Sequence, residues 1–236
     1  MQAWQLAKHL ISAGHAVEII TTCCKSFDDD WASNAYRPGL SLEDGVPVRR
    51  FRVDRRDRAA FSRADHALLT TPRNALRIGV NPVSDEEADL FATEGIKSGA
   101  LISYLARAAE RYTSFLFMQY LYGTTLQGLP AVADRAYLQP TLHDEAYAYI
   151  PHVDDVFRKA RGLLFISTGE FELAQRLYGP GIIPKSRVVG AGVDAFNDPF
   201  PGAVGEFDPG SAPFVLYLGR QEPTKNVDFL VQSFRL

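Results

Sequence analysis

Three short runs, "SFLFMQ" from Ser114, "AYLQPTLHDE" from Ala136 and "GLLFIST" from Gly162, are apolar at successive positions, and amphipathic stretches separate them. Strands buried on both faces and alternating with helices define a mostly parallel sheet covered by helices on its two sides. The intervening segments carry the matching helical period. Leu101, Ile102, Leu105, Ala108, Ala109 and Tyr112 form one face after Ser98 and Gly99. Val153, Val156, Phe157 and Ala160 form another. "FELAQRLYG" is a third helix, opened by the capping-box spacing Ser167 to Glu170 and stopped by Gly179 and Pro180. Thr124–Ala133 reads as a short helix interrupted by Gly128 and Pro130.

The front of the chain follows the same rule. Ala3, Leu6, Ala7, Leu10 and Ile11 make a helical stripe closed by Gly14, and the β-branched "AVEIITT" is a strand. A helix opening directly into a strand is the second half of a βαβ unit. The chain is therefore expected to be truncated at its front, before Gln2. "GVPVRRFRV" and "SRVVGAGVD" give two further strands, while Lys25–Leu42 reads as irregular. The stretch "AFNDPFPGAVGEFDPGSAP" is dense in Gly, Pro and Asp, without periodicity, and reads as a linker. Beyond it "FVLYLG" begins a new strand and a helix follows. The expected organisation is a Rossmann-like α/β domain over residues 1–194, a linker over 195–212 and the start of a second domain over 213–236.

Charge and composition exclude little else. At 236 residues with a formal charge of −3, nothing overall favours nucleic acid. No run approaches the roughly 18 apolar residues of a spanning helix, and the N-terminus lacks the features of a secretory signal. The two cysteines, Cys23 and Cys24, are adjacent, which suits buried thiols in a reducing, cytoplasmic compartment better than a bridge or a zinc site. The arginine run "RRFRVDRRDR" admits two readings, a solvated strand edge and loop or contact with an anionic membrane surface.

In open parallel sheets ligands bind beyond the carboxyl ends of the strands, so the polar residues there are the site candidates. His143, Asp144 and Glu145 follow a buried strand directly. They could supply a base with a carboxylate orienter, bind a sugar hydroxyl, or simply cap the next helix. Thr168 and Gly169 sit at a helix N-terminus, a natural anion site. Gly190 and Gly192 allow close backbone approach or merely make a turn. In "GRQEPTKN", Arg220 and Lys225 lie five apart on one loop, a planar fork and a point charge able to converge on a diphosphate.

Taken together, "AWQLAKHLISAGHAVEIITT", "GVPVRRFRV", "PTLHDEAYAY", "LLFISTGEFELAQRLYG", "VVGAGVD" and "FVLYLGRQEPTKNVDFLVQSF" resemble, in order, the retaining glycosyltransferases of family 4, which have the two-domain GT-B fold. The resemblance implies transfer of a sugar from a nucleotide-diphosphate donor to a hydroxyl of a carbohydrate or lipid-linked acceptor, with retention. It places the activity in cell-surface polysaccharide or glycolipid synthesis, in the cytoplasm or at the inner membrane face. It implies that His143 contacts the donor sugar as the catalytic histidine, that Arg220 and Lys225 neutralise the diphosphate, and that Asp144 and Glu145 line the same cleft. No cofactor and no obligatory metal are implied. The chain departs from the family in lacking the glycine-rich loop after the first strand and the paired glutamates of the second domain, and Asn226 replaces the usual glycine after Lys225. The 236-residue chain is accordingly expected to be inactive by itself. A GT-B epimerase or phosphorylase fragment, or a carbohydrate-binding module, remains an open alternative.

Overall fold

The structure, a computed structural model, describes residues 2–26, 29–192, 213–219 and 225–234. The chain separates into two compact units, Met1–Gly192 and Val193–Leu236. In the first, helix α1 (Gln2–Ser12) leads into strand β1 (Ile19–Thr22), and Gly14 makes the turn in the left-handed region at φ 89. Strands β2 (Gly39–Glu43) and β3 (Val46–Phe51) follow, then helices α2 (Arg58–Thr70), α3 (Asp85–Glu94) and α4 (Gly99–Ala108). The remainder alternates: β4 (Phe115–Met118), α5 (Gly123–Gly128), β5 (Ala136–Gln139), α6 (Pro151–Lys159), β6 (Gly162–Phe165), α7 (Thr168–Tyr178) and β7 (Ser186–Val188).

The architecture is the expected α/β one, with a Rossmann-like parallel sheet flanked by helices. β4, β5, β6 and β7 pair in that order, all parallel. Parallel neighbours need a crossover between them, and α5, α6 and α7 supply it. A separate three-stranded sheet has the order β1-β3-β2, with β1 parallel and β2 antiparallel to β3. The main core runs through Leu138, Leu163 and Phe165 of the parallel sheet to Val153, Val156 and Phe157 of α6, each essentially without solvent contact. Phe157 stacks on Tyr178 at a centroid distance of 4.2 Å, tying α6 to α7. Gly162 opens β6 because a Cβ there would stand 2.6 Å from the Tyr137 ring.

Four elements depart from the sequence reading. The segment read as irregular contains β2, joined to β3 by Asp44-Gly45 with φ of 43 and 80, the left-handed pair of a two-residue hairpin turn. Helices α2 and α3 fill the region between residues 58 and 94, where the sequence pattern predicts no element. In the second unit, helix α8 (Val227–Ser233) is present, but residues 213–218 do not form the expected strand. A strand exists through its ladder, and the described residues of that unit include no second strand to pair with it.

The arginine run is partly consumed internally. Arg49 pairs with Glu18 and lies over the Tyr104 ring, and Arg50 pairs with Glu43 over Tyr36. Arg56 lies over both the Trp31 and Phe61 rings, which touch each other, and burial lowers its pKa. Among the described residues no helix is long and apolar enough to cross a membrane. Both thiols are free, with Cys23 buried and its pKa raised by that burial.

Candidate functional site

The carboxyl ends of β4, β5 and β6 carry the polar residues of interest, and two of those ends turn through unusual backbone. Gln119 after β4 and Thr141 after β5 both lie in the left-handed region, at φ 68 and 57. That conformation is uncommon for any residue with a Cβ and a true outlier for a β-branched one such as Thr141. The Gln119 N–H donates to the Gln139 carbonyl and the Tyr120 N–H to that of Pro140, so the parallel ladder runs on to the point where the chain turns away.

Leu142 is buried beyond that turn, and His143 stands exposed at the tip of the loop. Asp144 is tied down on both oxygens. Its Oδ2 accepts from Arg73 Nη2 at 2.7 Å and Arg176 Nη2 at 2.8 Å, and its Oδ1 accepts from the Tyr149 hydroxyl at 2.7 Å. Burial pushes the Asp144 carboxyl up, but the bonds from Arg73, Tyr149 and Arg176 outweigh it and hold the pKa below the ordinary aspartate value. Glu145 turns inward and accepts the hydroxyl of Tyr120 at 2.7 Å. Tyr120 is 1% exposed, and burial, reinforced by the charge of Glu145, drives its pKa well upward.

Opposite the loop lies the start of α7. Ser167 caps it, accepting the Glu170 N–H at 3.1 Å, as the sequence spacing predicts. The second half of the expected box does not form. Glu170, only 6% exposed, sends its carboxylate to the strand ends, where Oε1 accepts from the Leu142 N–H and Oε2 from the Ile166 N–H, each at 2.7 Å. The geometric reason is that only two residues separate β6 from α7, so the first turn of the helix lies against the loops leaving both β5 and β6.

A cavity of about 290 Å³ separates these two walls, lined by Thr141, His143 and Asp144 on one side and Ser167, Gly169 and Leu173 on the other. Gly169 faces open space, since a Cβ there would have no neighbour within 4 Å. Thr168 is exposed beside it at the first position of α7. Of the His143-Asp144-Glu145 trio only the imidazole has no side-chain hydrogen bond among the described residues. A larger cavity, about 350 Å³, lies beside Arg49, Arg50 and Tyr104, but two of its arginines are already committed to Glu18 and Glu43.

The structure thus brings His143, Asp144 and Gly169 to one cavity, with Thr168 at its edge and Glu145 turned beneath it. Gly190 (φ 77) and Gly192 follow β7 at exposed positions and do not line it. Lys225 belongs to the second unit, exposed just before α8, and Asn226 after it is left-handed at φ 52. Arg220 lies outside the described residues. Arg73, Arg176, Tyr120 and Tyr149, which fix the loop, were not foreseen from sequence. Arg73 is 71 residues from Asp144, and no local spacing links them. Among the described residues no group of three or more His, Cys, Asp and Glu forms a metal site.

A Rossmann-like sheet with an exposed histidine loop and a helix N-terminus across a cavity at its carboxyl edge defines an open α/β domain, a class in which ligands bind outside the carboxyl ends of the strands. Which such domain it is follows from comparison: the chain belongs to the glycosyl transferase 4-like domain family, which matches residues 1–192. It therefore carries a glycosyltransferase domain, whose substrates are a sugar donor and an acceptor. No curated protein and no solved structure matches the chain.

Proposed function

We propose that this domain belongs to an enzyme that transfers a sugar from a nucleoside-diphosphate donor to a hydroxyl acceptor with retention of configuration, in polysaccharide or glycolipid assembly. The observation that carries the reading is His143. Of the His143-Asp144-Glu145 trio it alone has no side-chain hydrogen bond among the described residues, it is exposed at the carboxyl end of β5, and it lines the cavity facing α7.

In this reading His143 contacts the donor sugar, where an imidazole can donate to or accept from a hydroxyl. Asp144 and Glu145 support it from beneath, since their oxygens already hold Arg73, Arg176, Tyr149 and Tyr120. The start of α7 at Thr168 and Gly169 presents a helix N-terminus to a polar or anionic group. Arg220 and Lys225 neutralise the diphosphate as the glycosidic bond breaks, a stage at which fixed positive charge lowers the barrier.

The test uses the full-length gene product with a panel of nucleotide sugars and carbohydrate or lipid-linked acceptors. Nucleoside diphosphate should appear together with glycosylated product, and His143→Ala should lower kcat/KM by about 100-fold, the scale of one lost transition-state contact. Release of diphosphate by hydrolysis alone, or unchanged kinetics in the variant, rejects the proposal.

A further inference from the structure

We propose that Glu170 is the positioning residue of the His143 loop, a buried carboxylate that fastens the ends of β5 and β6 together and so aims His143 across the cavity. The inference rests on the proposed role of His143.

Two backbone N–H groups, one beyond the end of β5 and one beyond the end of β6, donate to a single carboxylate. Leu142, 5% exposed, is the residue immediately before His143, and Ile166 is the residue immediately after β6. Glu170 reaches both, one oxygen to each at 2.7 Å. Among the described residues no cationic side chain is paired with it. Its charge is met by those two amides and by the first turn of α7, where a carboxylate is favoured. The arrangement is therefore a clamp between backbones, not an ion pair.

The clamp closes where the chain most needs it. Thr141 is held left-handed at φ 57, a conformation of a β-branched residue that persists only when its surroundings over-determine it. The Leu142 N–H bonded to Glu170 follows that residue directly, so the bond fixes the turn from its far side. Downstream, Asp144 and Glu145 are anchored to Arg73, Arg176, Tyr149 and Tyr120. His143 is thus suspended between a fixed point on each side, free in its side chain and constrained in its backbone. Remove the Glu170 bond and one support is lost, leaving the left-handed turn free to relax and the imidazole to swing.

Glu170→Gln isolates this role, because it keeps the shape and one acceptor but sets an amide donor against the second N–H. Amide hydrogen exchange of the 236-residue chain should show Leu142 or Ile166 losing protection about tenfold or more, with the His143 ring resonances shifted. Leu138 and Leu163 in the strands should keep their protection. Unchanged protection at Leu142 and Ile166 overturns the proposal. So does a uniform loss across β4 to β7, which would mark Glu170 as a general stabiliser. In the full-length enzyme the same variant should lower kcat by about 10–100-fold with donor KM within about twofold, the mark of a reacting group misplaced after binding. Adding Thr141→Gly, which holds a left-handed turn without strain, should restore part of kcat; no recovery counts against the clamp. His143→Ala separates the two ideas. If it leaves transfer intact, the role of His143 falls while the exchange result stands. If it abolishes transfer but Glu170→Gln changes neither exchange nor kcat, only the positioning role falls.

Discussion

Two helices of this domain begin with the same pattern, a serine followed three residues later by a glutamate, and the two glutamates do different things. At α3 the box closes on itself. Ser84 Oγ accepts the Glu87 N–H at 3.2 Å, and Glu87 Oε2 accepts the Ser84 N–H at 2.9 Å and its hydroxyl at 2.8 Å. At α7 only the first half forms, and Glu170 bonds instead to Leu142 and Ile166. The serine's job is local and travels with the motif. The glutamate's job depends on what lies beside the helix start. α3 begins in an exposed loop, where the nearest unpaired donors are its own cap. α7 begins against the ends of two buried strands, whose amides are costlier to leave unmet.

The comparison is broken most readily by deleting each carboxylate in turn. Glu170→Ala strands a buried N–H at Leu142 and a partly buried one at Ile166, and should cost about 2–4 kcal/mol in urea or thermal unfolding of the chain. Glu87→Ala returns exposed groups to water and should move the midpoint far less. Equal effects would mean that Glu170 too is only a cap. The serines sharpen the contrast from the other side. Ser84→Ala and Ser167→Ala each remove one acceptor from an N-terminal turn, and each should cost about 1 kcal/mol. A difference between them of more than about twofold would show that the shared half of the motif is not equivalent at the two sites.

The same contrast explains what could be read from sequence. The parallel sheet was visible because strands buried on both faces, such as Leu163–Phe165, leave an unbroken apolar run that few other structures need. The cap at Ser167 was visible because its geometry depends on four consecutive residues. β2 was missed because Leu40 and Leu42 are exposed at a sheet edge and bury nothing. Its signal was the turn, Asp44-Gly45, rather than the strand. α2 and α3 were missed although Phe61, Ala64 and Leu68, and Ala88, Phe91 and Ala92, have helical spacing. The charged residues crowded between them dilute the stripe, and only the Ser84 cap marks the start of α3. For the site, His143 was found by its place after a strand, but its supports were not. Arg73, Arg176 and Tyr120 reach the loop from 71, 32 and 25 residues away in sequence. Such contacts are products of the fold, and only the assembled chain shows that Asp144 and Glu145 face inward while His143 does not.

The smallest effect, and the finest test of the comparison, is electrostatic. Bonds from the backbone and then the hydroxyl of Ser84 hold the Glu87 pKa below the ordinary glutamate value. A carboxylate with a lower pKa folded than unfolded stabilises the fold above its unfolded value, and that contribution disappears as pH falls through the folded one. The start of α3 should therefore stay closed at neutral pH and fray on acidification, after ordinary exposed carboxylates have taken up protons. Because Glu87 lies at the surface and is partly open to water, solvent screens the effect and global stability should scarcely move. A carboxyl-detected NMR titration reads it directly. Glu87 should titrate below the ordinary glutamate value, and Ser84→Ala should bring it part of the way back, since the hydroxyl donor is lost and the backbone N–H remains. A Glu87 that titrates at the ordinary glutamate value in the wild-type chain would mean that its box is open in solution, and the two helix starts would then differ for some reason other than the carboxylate's choice of partner.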